Sequence, residues 1–394
     1  MSVRFMLNET SYFGKGAREE LAPEIKNRGF KKAFVVTDKS LAECGVINKV
    51  TDVLEKAGIP FEVYSEVKPN PTIKNVTDGI EACKKSGADV IVAVGGGSSI
   101  DTSKGISIVM TNPDRADIVS LNGASNTVNR GMPVIALPTT SGTAAEVTIN
   151  YVITDEERKI KMVCVDPHDI PIMAIVDSDL MATMPKSLAS ATGMDALTHA
   201  IEAYVAGLHS PFSDPLAIHA IEMIFDNLKA SYEGDMQARG NMHIAQCLAG
   251  MAFSNALLGI VHSLAHKTGA VFDTGHIPHG CANAIYLPYV IQYNAKVCED
   301  RFAMIARKLG LPGVTDKALT LSLIKAVEDL RTSLHIVSNL KEFGVKEDEF
   351  LEKKHMIAER AVGDACTGSN PRETSVEDME KILECIYYGK DVTF

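Results

Sequence analysis

No stretch of the 394-residue chain approaches the run of about 20 apolar residues needed to cross a bilayer, so no membrane-spanning helix is expected. The opening MSVRFMLNETSYFG has neither the long apolar core nor the small-residue cleavage site of a secretory leader. Positive charge is scarce. Lys and Arg number 39 against 50 Asp and Glu, a net charge of −11, which argues against nucleic acid and anionic membrane surfaces as partners. The eight cysteines (Cys44, Cys83, Cys164, Cys247, Cys281, Cys298, Cys366, Cys385) are scattered and never spaced as CxxC. That spacing indicates neither a disulfide framework nor a zinc ribbon, and a reducing cytoplasm is the expected compartment. Tryptophan is absent, which excludes nothing. No internal repeat or low-complexity tract is present.

The chain is otherwise ordinary for a soluble protein, 46% hydrophobic and 23% charged, and too long for one core. Its first half alternates strand and helix signals. KAFVVT (32–37), FEVYSEV (61–67), DVIVAVGGGSS (89–99) and PVIALPTTSGT (133–143) read as strands. A helix-like stretch spans Lys39 to about Ala57, another lies near 73–86, and SIDTSKGISIVM follows the glycines. This alternation predicts βαβ units and a mostly parallel sheet. TINYVITDEERKIKMVCV reads as an antiparallel hairpin, and IMAIVD (172–177) as a last strand. From about 186 only helical lengths and periods remain. The expected architecture is α/β plus all-α, with a Rossmann-like parallel-sheet domain over 1–185 and an all-helical domain over 186–394.

Three groups of residues carry chemistry. In GMDALTHAIEAY, Asp195 and His199 stand at i and i+4, on one face of a helix, where carboxylate and imidazole can share a divalent metal or simply bond to each other. In GIVHSLAHKTGAVFDTGHIPHG, His262 and His266 repeat that spacing, and His276 and His279 follow in a loop. Four of the eleven histidines thus fall between 262 and 279. Mixed imidazole and carboxylate donors suit Fe²⁺ or Zn²⁺, and spacing does not choose between them. GGGSSIDTSKG after a strand lets the backbone approach an anion such as a pyrophosphate at a helix N-terminus. It is neither GxGxxG nor GxxxxGK[ST]. Asp38, following AFVVT, can accept from a ribose hydroxyl and repel a 2′-phosphate, favouring NAD over NADP; as plainly, it can cap the next helix.

Taken together, PNPT (69–72), GGGSSID (95–101), PTTSGTAAE (138–146), ATGMDALTHAIEAY (191–204), HSLAH and PHG resemble the iron-containing alcohol dehydrogenases. MLNETSYFGKG (6–16), VTINYVITDEERK (147–159), VCVDPHDIP (163–171) and CTGSNPRE (366–373) look most like the lactaldehyde-reducing branch. The resemblance implies a metal held by Asp195, His199, His262 and His279, with His266 near nicotinamide and substrate. It implies a pyrophosphate loop at Gly96, Gly97 and Ser98, and further cofactor contacts at Asp38, Asn70, Thr139, Thr140, Thr143 and Lys161. Asn150, Phe253 and Cys366 match substrate-lining positions. DTGHIPHG looks three residues longer here than in that branch. His276 therefore falls at the usual ligand spacing, while His279 keeps the PHG motif.

The expectation is an iron-dependent, NAD-linked alcohol dehydrogenase (Zn²⁺ being the alternative metal), commonly dimeric in this family, with NAD at the carboxyl ends of the strands, the metal in the helical domain and the reaction in the cleft between them. Residues 186–285 hold only four basic residues (Lys186, Lys229, Arg239, Lys267). A carboxylated or phosphorylated substrate would want a cationic clamp. A small neutral one fits better: lactaldehyde and 1,2-propanediol, or a short alcohol such as butanol or 1,3-propanediol. A glycerol dehydrogenase and a lyase of the dehydroquinate synthase type are the rival activities.

Overall fold

A computed structural model describes residues 4–124, 127–158, 160–269, 271–273, 275 and 277–394. The chain divides into two compact units, Met6–Met184 and Pro185–Phe394, with Arg4 and Phe5 grouped into the second.

The first unit carries nine described strands: β1 (Thr10–Phe13), β2 (Ala33–Asp38), β3 (Phe61–Val67), β4 (Val90–Gly95), β5 (Gly123–Ala124), β6 (Val134–Pro138), β7 (Asn150–Asp155), β8 (Ile160–Val165) and β9 (Met173–Val176). Six form a parallel sheet in the order β1-β9-β6-β4-β2-β3. The apolar runs of β4, β6 and β9 are buried throughout, as strands covered on both faces must be. Alternate residues feed two cores. Val35, Val92, Val94, Ile135 and Leu137 pack with Leu21, Ile25, Val50 and Leu54. Phe34, Val36, Ile91, Ala93 and Ala136 pack with Val76, Ile80, Ile106 and Ile108 on the opposite face. The expected hairpin is present as β7 and β8, antiparallel, with Tyr151 facing Cys164 and Ile153 facing Met162. Its turn is set by Asp155, whose Oδ1 accepts from the backbone N–H of Glu157 and Arg158, both at 3.0 Å.

Three features depart from the expectation. β1 lies on four residues, TSYF, that announce no strand; pairing with β9 makes them one. Asp177, just past β9, secures it by accepting from the N–H groups of Gly16 and Arg18 and from the Arg18 guanidinium. The helix expected over 39–57 is two, Lys39–Glu43 and Asn48–Lys56, parted where Gly45 takes a φ of 77°. The helical periods expected to run on past 186 break between Met236–Ala256 and Ile260–Thr268, which meet at 103°. Leu257 takes a φ of 64° there, a strained value for a non-glycine residue.

The second unit is helical, as expected: Lys186–Val205, Ser213–Glu233, Met236–Ala256, Ile260–Thr268, His279–Lys308, Asp316–Ser333, Leu340–Phe343, Glu347–Val362 and Val376–Tyr388. Lys186–Val205 is buried along most of its length, so its apolar residues form no single stripe. Small residues allow this; a Cβ on Gly193 would lie 2.1 Å from Leu228. Among the described residues no single helix is long and apolar enough to cross a membrane, and all eight cysteines are free thiols.

Candidate functional site

Three helices of the second unit converge on Asp195. The first is Lys186–Val205, which places Asp195, His199 and Glu202 at i, i+4 and i+7 on one face. The second is Ile260–Thr268, started by the sharp break after Leu257. Gly259 leaves room there for Glu202 and Asn370, whose side-chain oxygens lie 2.8 Å from where a Cβ would stand. Those oxygens cap the new helix, Glu202 Oε1 accepting from Val261 N–H at 2.8 Å and Asn370 Oδ1 from Ile260 N–H at 3.3 Å. The third is His279–Lys308. Its second residue is Gly280, and a Cβ there would stand 1.9 Å from the carbonyl oxygen of Ala191. Only glycine lets this N-terminus settle against Lys186–Val205 and bring His279 to Asp195.

The result is a cluster, buried at Asp195 and His262 and part-exposed at His279, in which ligand atoms of the three all lie within 4.8 Å of one another. Asp195 Oδ1 is 3.6 Å from Nε2 of both His262 and His279. Donor atoms that close together could be shared by one cation. His262 is oriented for this role, because its other nitrogen, Nδ1, lies 2.6 Å from Glu202 Oε2. Burial would raise the Asp195 carboxyl, but the imidazoles of His199, His279 and His262 outweigh it and hold the group well below the usual carboxylate range. Burial would lower His262, and Asp195 and Glu202 outweigh that, lifting it to about 9. The cluster therefore draws positive charge to its centre, and a divalent cation fits both donors and charge. His199 stacks on His262 (ring centroids 4.4 Å apart) and on Phe253 (4.3 Å), but it lies outside the close three-residue group. His276 lies outside the described residues.

Beside this cluster, His266 stacks on His279 at 5.3 Å, with the rings nearly parallel. Its Nδ1 lies 3.2 Å from Asp364 Oδ2, and Lys267 Nζ approaches the same oxygen to 2.7 Å. Burial would raise the Asp364 carboxyl; His266 and Lys267 override it and hold the group ionised. An ionised partner favours the tautomer with the hydrogen on Nδ1. Cys366 completes this group, its thiol pushed far up by burial.

In the first unit the glycine loop follows β4. Gly95 takes a φ of 153°, and a Cβ there would lie 2.4 Å from Ser99 Oγ. Gly96 caps the helix Gly97–Thr111, and Ser98 lies in its first turn. Thr140 and Thr143 pack against Gly96 and Gly97, within 3.2 and 2.9 Å of where each Cβ would be. Thr139 N–H donates to Gly95 carbonyl, so the PTTSGT loop runs beside the glycine loop at the carboxyl ends of neighbouring strands. Asp38 ends β2 and caps Lys39–Glu43, one oxygen accepting from Leu41 N–H at 3.0 Å. Asn70, in the left-handed region at φ 54°, follows β3. Lys161 sits apart on β8, its ammonium pushed down by burial against the pull of Asp101. Asp101 is itself pushed up to about 7 by burial, which Lys104, the Val152 N–H and Lys161 only partly offset. Asn150 opens β7 and accepts from Lys104 Nζ through its carbonyl.

Motif reading passes over three residues. Glu202 and Asn283 had a signal, at i+7 from Asp195 and i+4 from His279. Asp364 had none, because only folding brings it to His266.

Two family models together span most of the chain. The model described as iron-containing alcohol dehydrogenase matches residues 8–178. The one described as the C-terminal part of the Fe-containing alcohol dehydrogenase family matches residues 189–387. The chain is 51% identical to an NADPH-dependent butanol dehydrogenase of Clostridium saccharobutylicum over 395 aligned residues, covering all of both chains. It is 47% identical to the lactaldehyde reductase of Escherichia coli K12 over 384 residues, covering 97% of this chain and 99% of that one. A crystal structure of a 1,3-propanediol oxidoreductase superposes with a TM-score of 0.93 at 37% identity, covering 98% of this chain and all of that one. With a carboxylate–imidazole cluster in a helical unit that follows a parallel-sheet unit, the chain belongs to the iron-containing alcohol dehydrogenase family and is an oxidoreductase acting on CH–OH groups.

Proposed function

We propose that the protein is an NAD(H)-linked reductase of a small neutral aldehyde, with lactaldehyde and 1,2-propanediol as its substrate pair. One observation carries the neutrality: Lys267, the basic residue next to the cluster, is already held by Asp364 at 2.7 Å. No cationic clamp for a carboxylate or phosphate is left beside the cluster among the described residues, which weighs against a lyase acting on a charged substrate.

In this reading Asp195, His199, His262 and His279 hold the metal, and Glu202 keeps Nε2 of His262 turned towards Asp195. A bound divalent cation supplies Lewis-acid polarisation of the substrate oxygen, and a nicotinamide supplies or accepts the hydride. His266 moves the proton at Nε2, with Asp364 retaining the hydrogen on Nδ1. Gly96, Gly97 and Ser98 present backbone N–H groups to the pyrophosphate. Asn70, Thr139, Thr140, Thr143 and Lys161 make further cofactor contacts. The Asp38 oxygen not used for capping accepts from the ribose and opposes a 2′-phosphate, so NADH is preferred to NADPH. The functional unit is a homodimer, which light scattering tests.

A second reading, a short primary alcohol such as butanol, draws support from Phe253, an apolar ring against His199. The test is anaerobic oxidation of NADH and NADPH with lactaldehyde and butyraldehyde, on metal-stripped protein reloaded with Fe²⁺, with Zn²⁺ or with neither. Metal-dependent NADH turnover favouring lactaldehyde is expected. Preference for butyraldehyde selects the second reading, and absence of turnover with every metal overturns both.

A further inference from the structure

Asn283 stands one turn after His279 on the helix His279–Lys308 and is fully buried. Its Nδ2 lies 2.7 Å from Asp195 Oδ1, 3.2 Å from His262 Nε2 and 3.3 Å from His279 Nε2. One amide nitrogen thus faces the three atoms that form the metal cluster. The amide's orientation follows from chemistry: turned over, its oxygen would face a carboxylate oxygen. The arrangement leaves the other end unmatched, since Asn283 Oδ1 is buried with no hydrogen-bond partner among the described residues.

We infer that Asn283 is a built-in stand-in for the cation, an amide that holds the ligand set together while no metal is bound and must yield when one enters. The inference rests on the metal-centre reading above. Without a cation, a carboxylate oxygen and two imidazole nitrogens crowd one small space. The two N–H groups of Asn283 face that space, one donating to Asp195 Oδ1 and the other free for an imidazole nitrogen that carries no hydrogen. A cation reverses each preference. N–H dipoles directed at positive charge are repelled, and the unmatched Oδ1 is attracted, so the carboxamide turns about its Cβ–Cγ bond or withdraws. The same three ligand atoms pass from one holder to another. Metal-free protein keeps an assembled site, and loading is correspondingly weaker, because the cation displaces hydrogen bonds already made.

The test uses the full chain, stripped with chelator, with Asn283→Leu (similar branching, no donors) and Asn283→Asp. Thermal unfolding is followed without metal and at saturating Zn²⁺, and Zn²⁺ binding is measured by calorimetry. Both variants are expected to unfold at lower temperature when metal-free and to change less when loaded, so the Zn²⁺-induced rise grows. The Zn²⁺ Kd is expected to tighten about 10-fold, equivalent to ~1.4 kcal/mol. Equal destabilisation of the two forms would reduce Asn283 to a packing residue and overturn the inference. A smaller Zn²⁺-induced rise with metal-free stability unchanged would also overturn it, by placing the amide's role in the loaded form alone. If Zn²⁺ fails to raise the unfolding temperature of the unsubstituted protein, the metal-centre reading itself falls and this inference with it. Asn283→Asp keeps size and polarity and carries the test if Asn283→Leu does not fold.

Discussion

Replacing Glu202 by Gln changes one atom and tests how the cluster is held. Glu202 is 3% exposed and spends both oxygens on donors, Oε1 on Val261 N–H at 2.8 Å and Oε2 on His262 Nδ1 at 2.6 Å. Gln has one acceptor for those two donors. If its oxygen stays with Val261, its NH₂ faces His262 Nδ1 and forces the ring hydrogen onto Nε2. That is the atom 3.6 Å from Asp195 Oδ1, and a protonated Nε2 cannot ligate. If the amide turns over, the imidazole keeps its tautomer, but two N–H groups meet at the start of Ile260–Thr268. The first outcome withdraws a ligand, and the second loses a buried, charge-assisted bond of about 1.5–3 kcal/mol. Either weakens metal binding, and loss of a ligand's supporting partner typically costs about 10–100-fold in affinity. Calorimetric titration of Zn²⁺ into stripped Glu202→Gln should show that loss, with part of the activity recovered at excess metal. An unchanged Kd would refute the reasoning, since it would mean that His262 does not depend on Glu202 for its orientation.

Gly280→Ala places a Cβ 1.9 Å from the Ala191 carbonyl, so the helix must shift and carry His279 away; metal content by atomic absorption should fall to a small fraction of that of the unsubstituted protein. Asp38→Asn keeps an oxygen to cap Lys39–Glu43 while removing the charge, and should raise the ratio of NADPH to NADH kcat/KM by about 10-fold, worth ~1.4 kcal/mol, with little change in thermal stability. Asp364→Asn should lower kcat more than KM and leave Zn²⁺ affinity nearly unchanged, because it acts on His266 and not on the close ligand group. Burial works to raise Asp177, and the N–H groups of Gly16, Asp179 and Arg18 with the Arg18 guanidinium outweigh it and hold the carboxyl below its ordinary value. The unfolded chain therefore binds the proton first, and Asp177 contributes stability above about pH 4 that is lost as pH falls through its lowered folded value. Urea midpoints at pH 5 and pH 3 should differ more for the unsubstituted protein than for Asp177→Asn.

Local rules made much of this protein legible from its residues. The doubly covered strands announced themselves as unbroken apolar runs, and glycine after β4 marked a close backbone approach. Asp195 with His199, and His262 with His266, showed as i, i+4 pairs because helical periodicity is a property of sequence. What depended on contacts between distant segments did not show. TSYF became β1 because β9 offered a free edge, not because four mixed residues prefer to be extended. The helix break at 257–259 did not show because Glu202 and Asn370 supply a cap that only the fold brings there. The i, i+4 pairs named the families of donors, yet the close group is Asp195, His262 and His279, one from each of three helices, with His199 stacked at its side. Asp364 reaches His266 across 98 positions, and nothing in either neighbourhood signals the pairing. Periodicity and composition act within a few residues and are written in the chain. Which donors meet, and at what distance, is decided by the packing of helix against helix, where a single missing Cβ at Gly280 sets whether His279 arrives at all.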